Sequence, residues 1–185
     1  MNLEEKPWFN DAEYMSYVGH LLEMDELKKL DGITHHYTST RLQHCLRVSY
    51  VSYLIAKKRG LNAKATARAG LLHDLFYYDW RNTKFAKSHA YVHPHIAYRN
   101  ARKLTTLSAL EKDIIIKHMF GATINPPRYK ESWIVTAVDK YVATLEGSVN
   151  LKYKWNRRKH FKRLPYFSID SVSYTHLRAH ETRRH

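Results

Sequence analysis

The sequence predicts an all-α fold, a bundle of about six core helices. Apolar residues recur at helical spacing in stretch after stretch, and most stretches are bounded by a capping residue, a glycine or a proline. Almost none shows the two-residue alternation of a strand. The chain has 185 residues, of which 44% are hydrophobic and 13% aromatic. That is enough to bury one sizeable core in a single domain.

The first helix is expected over residues 11–32, with Asp11 as N-cap and Gly32 as the stop. The second runs from about Thr38 to Arg59, with Gly60 just past its end, where the left-handed conformation of a helix terminus favours glycine. The third starts near Asn62, another good N-cap, and aligns Ala65, Ala69, Leu72, His73 and Phe76 on one face. A polar connection covers residues 79–90. Pro94 then suits the first turn of a fourth helix, because its missing N–H costs nothing there. Ser108 caps the fifth, with Glu111 three residues on completing a capping box. The "INPP" breaker precedes a sixth, "ESWIVTAVDKYVATLEG", which is expected to end at Gly147.

Charge and cysteine content narrow the chemistry. The formal charge is +14, but beyond residue 149 ten Lys and Arg face only Asp170 and Glu181, so the remainder nets a mild +6. In that remainder the charges alternate in sign along the helices, as on solvated faces. Residues 1–150 are read as the domain, residues 151–170 as a basic segment. Residues 171–185, "SVSYTHLRAHETRRH", resemble a translated sequencing-adapter tail, which sets His176, His180 and His185 aside. No apolar run approaches the ~20 residues that span a bilayer, and the N-terminus lacks a signal peptide's basic and apolar regions, so the expected location is cytoplasmic, with no membrane partner. The single cysteine, Cys45, can form neither an internal disulfide nor a CxxC pair. Any metal must therefore be held by histidine and carboxylate.

Polar residues intrude on the apolar faces. His44 falls in register with Val48, Val51 and Ile55; His93 with Ala97, Ala101 and Leu104; His118 with Leu107 and Ile114. Asp139 shares a face with Val135, and His73 and Asp74 stand side by side. Adjacent helical residues point about 100° apart, so one packing pocket does not absorb both. A buried carboxylate without a partner costs several kcal/mol, whereas convergence on a shared cation removes that cost. Any one of these histidines alone reads more simply as a hydrogen-bonded core residue; the set reads as a metal centre of imidazole and carboxylate ligands.

In order, His44 in "STRLQHCLRV", His73 and Asp74 in "GLLHDL", His93 in "HPHIAYRNA", His118 in "IIKHMF" and Asp139 in "AVDKY" resemble the H…HD…D pattern of the HD-domain metal-dependent phosphohydrolases over residues 35–147. The single histidine at position 118 looks like the two-metal bacterial members that hydrolyse diadenosine tetraphosphate. The resemblance implies two divalent ions (manganese, iron, cobalt, nickel or zinc). His44, His73, Asp74 and Asp139 would hold one, and Asp74 would bridge to a second on His93 and His118. It also implies a catalytic role for Asp74, a phosphorylated small-molecule substrate such as a nucleotide, and hydroxide attack on phosphorus. Many relatives read HDxxK where this chain reads "HDLFYYDW". Arg41, Arg47 or Lys117 are the candidates to meet substrate phosphate in place of that lysine. Two other readings stay open: a metal- or nucleotide-sensing domain without turnover, and a nucleic-acid-binding protein that uses the basic segment "LKYKWNRRKHFKR".

Overall fold

The computed structural model describes residues 6–36, 39–79 and 82–158. It is all-α apart from one small hairpin. The elements are α1 (Ala12–Leu22), α2 (Asp25–Lys28), a 3-10 turn (Lys29–Gly32), β1 (Thr34–His36), β2 (Ser39–Thr40), α3 (Arg41–Lys58), α4 (Ala63–Leu72), α5 (His89–Leu104), α6 (Ala109–Lys117) and α7 (Lys130–Arg158). Among the described residues no helix is long and apolar enough to cross a membrane.

The caps form where side chains can accept from the first free N–H groups. Asp11 accepts from the Tyr14 N–H, Asn62 from Ala65, and Thr40 and Ser108 each close a capping box with Gln43 and Glu111. Gly60 takes a positive φ of 64° just past α3, as expected of it.

Five boundaries differ from expectation. The first helix breaks at Glu23 and Met24 rather than running on to Gly32. Thr34–His36 and Ser39–Thr40 pair antiparallel as β1 and β2, so the second helix starts at Arg41. The third helix stops at Leu72, which leaves Phe76 beyond it. α5 begins at His89, so Pro94 lies inside the helix, forgoing the bond its N–H would have made to the Ala90 carbonyl. Burial of Pro94 offsets that loss. α7 continues through Gly147 to Arg158, because a glycine costs only ~1 kcal/mol in a helix interior and the packed turns before it hold the register. The part of the basic segment up to Arg158 thus continues α7, and residues 159–185, including the adapter-like tail, lie outside the described residues.

α3 is the central element, packed on α4 along one side and α7 along another, while α6 joins α4 to α7 and α5 lies against α6. Val18, Leu46, Val48, Leu72, Ile114 and Val135 are among the side chains that fill the shared core. α3 and α4 approach closely at Gly70, where a Cβ would lie 2.9 Å from the Ser49 Cα. Ser49 Oγ donates to the Ala67 carbonyl at 2.6 Å and accepts from the Tyr14 hydroxyl at 2.8 Å, tying α1, α3 and α4 together. This contact sets the depth at which the end of α4 enters the bundle.

Candidate metal centre

α4 and α6 both end on a histidine: His73 is the C-cap of one and His118 of the other. A helix end leaves its last carbonyls without main-chain partners, and each imidazole uses one. His73 Nδ1 donates to the Gly70 carbonyl at 2.8 Å, and His118 Nδ1 to that of Ile115 at 2.8 Å. On α5, His93 Nδ1 donates to the His89 carbonyl at 2.9 Å. On α3, His44 Nδ1 faces the Glu146 carboxylate at 3.2 Å. The three carbonyls only accept, so the Nδ1 atoms of His73, His93 and His118 carry the proton and their Nε2 atoms are the ones turned to the centre; His44 faces a carboxylate at each nitrogen, Glu146 at Nδ1 and Asp139 at Nε2.

The four Nε2 atoms converge with two carboxylates. His44 Nε2 lies 3.0 Å from Asp139 Oδ1, and His73 Nε2 lies 3.6 Å from the same oxygen. Asp74 Oδ1 lies 3.3 Å from His93 Nε2, 3.6 Å from His118 Nε2 and 4.0 Å from His73 Nε2. The termination of α4 at Leu72 explains the His-Asp pair: once the chain leaves the helix, two consecutive side chains can face one pocket. The cluster is buried, with His73 fully so and Asp139, the most accessible, only 9% exposed.

Two of these buried atoms, His73 Nε2 and Asp74 Oδ1, have no hydrogen-bond partner. Two trios, His44–His73–Asp139 and His73–Asp74–His118, each offer ligand atoms within 4.8 Å of one another. The donor set of imidazole nitrogen and carboxylate oxygen, with orphaned atoms at its centre, fits divalent transition metal. His73 is common to both trios.

The electrostatics describe a centre short of positive charge. Burial alone would raise the Asp74 carboxyl, but His73, His93 and His118 hold it well below the ordinary range. Burial would lower His44, but hydrogen bonds to Asp139 and Glu146 push it up to about 10. His118 goes the other way, down to about 3, through burial and the neighbouring His73 and His93 rings.

The three cations expected to meet substrate are all engaged within the chain. Arg41 is fully buried, donates to the Phe76 carbonyl at 2.6 Å and packs its guanidinium 3.7 Å from the centroid of the Phe76 ring. Arg47 donates to Glu146 at 2.6 Å, and Lys117 pairs with Asp113 at 3.2 Å and donates to the Pro126 carbonyl at 2.8 Å.

Of two residues that border the centre, Glu146 escaped the sequence reading and His89 was set aside in it as the nearest competitor to His93. Glu146 holds His44 from one side and Arg47 from the other; its place seven residues after Asp139, two turns along one face, was the available signal. His89 was expected to precede the fourth helix, but it is the first residue of α5, stacked on His93 at 4.4 Å with 22° between the rings, its Nδ1 3.3 Å from the Tyr78 hydroxyl. Its spacing four residues before His93 was legible, but Pro94 pointed to a later helix start.

A family model for the HD domain matches residues 41–144, a span that contains all six converging residues. No curated protein and no solved structure matches the chain.

Proposed function

The chain belongs to the HD domain family, and from that premise we propose that it is a metal-dependent phosphohydrolase acting on a nucleotide or a related phosphoester. The observation that carries the reading is the convergence of four imidazoles, three of them with committed Nδ1 atoms, on two buried carboxylates, with His73 Nε2 and Asp74 Oδ1 left without hydrogen-bond partners.

His44, His73 and Asp139 would hold one divalent ion, and Asp74 with His93 and His118 a second. Bound there, such ions acidify water to a nucleophile and neutralise charge that develops on phosphoryl oxygens. The residues supply the rest. The carbonyls of Gly70, His89 and Ile115 fix three rings in the tautomer that ligates. Glu146 holds the His44 ring from its Nδ1 side. Arg41 and Asn100 hold the chain after Asp74 through the carbonyls of Phe76 and Leu75, which keeps the carboxylate aimed inward.

The test uses protein purified without a histidine tag. Elemental analysis gives its metal content, and a panel of nucleotides plus a generic phosphodiester is assayed with and without chelator. Turnover that chelator abolishes supports the proposal, as does loss of both metal and turnover in His73→Ala with the helical circular dichroism retained. Bound metal without turnover on any of these would replace it with a sensing role.

A further inference from the structure

From Trp80 to Leu110 the sequence contains no Asp or Glu, while Arg81, Lys84, Lys87, Arg99, Arg102 and Lys103 all fall in that stretch. About half of it is α5, on which Arg99 and Lys103 share one side. Val92, Ile96, Arg99 and Lys103 follow i, i+4, i+7 and i+11 spacing, which at 100° per residue is a single stripe about a quarter-turn around the helix from His93. Arg99 and Lys103 are exposed, Val92 and Ile96 half-buried. None of Lys87, Arg99 or Lys103 has an ion-pair partner among the described residues.

The stripe borders an open groove lined by Lys87, Tyr91, Val92, His95, Ile96 and Arg99, in which Tyr91 is 39% exposed. Beside it, Arg102 and Lys112 flank the Tyr98 ring at 5.7 and 5.6 Å from its centroid, extending the positive field onto α6. From the start of α5 to Lys103 the face runs about 20 Å, several phosphates long rather than one. Cations for a phosphate backbone, interleaved with an accessible aromatic for base stacking, are the elements of single-strand recognition. A membrane surface would need a broader apolar face than two half-buried aliphatic side chains.

We infer that the exposed face of α5 binds single-stranded nucleic acid. The site lies apart from the basic C-terminal segment, and it does not require the metal centre to be catalytic. Binding of a fluorescently labelled oligo-dT to the full chain, followed by anisotropy against salt concentration, tests it. In Arg99→Gln/Lys103→Gln the dissociation constant should rise at least about tenfold at low salt. The slope of log affinity against log salt should flatten by about 1.4, at roughly 0.7 per phosphate contact on single strands. Metal content and thermal midpoint report that this variant is folded, and Lys28→Gln/Lys29→Gln, on a different surface, should bind as the parent does. Absence of saturable binding at low salt overturns the inference. So does unchanged binding in the α5 variant, including the case in which Lys152→Gln/Lys154→Gln removes it instead. Oligonucleotide binding by a protein that hydrolyses nothing would uphold this inference while the proposed function fails. Hydrolysis without oligonucleotide binding would do the reverse.

Discussion

The Nε2 atoms of His93 and His118 stand 2.9 Å apart, while the opposite nitrogen of each ring donates to a main-chain carbonyl. The Nδ1 protons are already committed to those carbonyls, so a cation that accepts from both Nε2 atoms would relieve their close approach. Removing metal with chelator should therefore lower the thermal midpoint, and restoring a divalent transition ion should raise it. At a hundredfold excess over the dissociation constant the gain is about 2.7 kcal/mol. His118→Ala should lose most of that response. A midpoint indifferent to manganese, iron, cobalt, nickel and zinc would refute the assignment.

Glu146 supplies a pH signature in the metal-free protein. Burial would raise its carboxyl, but the hydrogen bonds from His44 and Arg47 outweigh burial and bring it from 4.5 down to about 2. A depressed acid stabilises the fold above its unfolded value, and that contribution is lost as pH falls through the folded one. The thermal midpoint should thus drop between pH 4.5 and about 2, and Glu146→Gln should start lower and fall less steeply across that window. Parallel curves for the two proteins would show that the pair contributes nothing.

Gly70 couples packing to the centre. In Gly70→Ala the new Cβ would meet the Ser49 Cα at 2.9 Å, backbone that cannot swing aside. The substitution should cost about 1–3 kcal/mol. It should also weaken metal binding, because the displaced Gly70 carbonyl is the one that holds His73. Chemical denaturation and a competitive metal titration would measure the two effects separately.

Arg41 separates a structural role from a substrate contact. Lysine retains the charge but loses the planar fork that donates to the Phe76 carbonyl and, at 3.4 Å, to that of Tyr78. Arg41→Lys should lower stability by about 2–3 kcal/mol with no substrate present. A variant of unchanged stability whose only defect is a raised KM would instead return Arg41 to the substrate.

The helices could be read from sequence where local chemistry decides them. Asn62, Ser108 with Glu111, and Gly60 all mark ends that depend on groups within a turn, and the structure places those ends accordingly. Pro94 misled because its burial offsets a backbone cost of about 3 kcal/mol, and Gly147 because a glycine costs only ~1 kcal/mol in a helix interior. The six converging residues were legible as polar interruptions of apolar faces. What was not legible was which atoms of each ring turn inward. That is decided by carbonyls of Gly70, His89 and Ile115, whose availability depends on where each helix ends or bends. Likewise, Arg41 looked like a free cation until Phe76 folded over it.

The converging donors run from residue 44 to residue 139 and come from five helices or the residues just past their ends, so no fragment of the chain assembles them ahead of the rest. Interactions of such long sequence separation form late on the way to the native state. An ion seated among them would act as a latch on the finished molecule, prolonging its lifetime while leaving the refolding rate nearly unchanged.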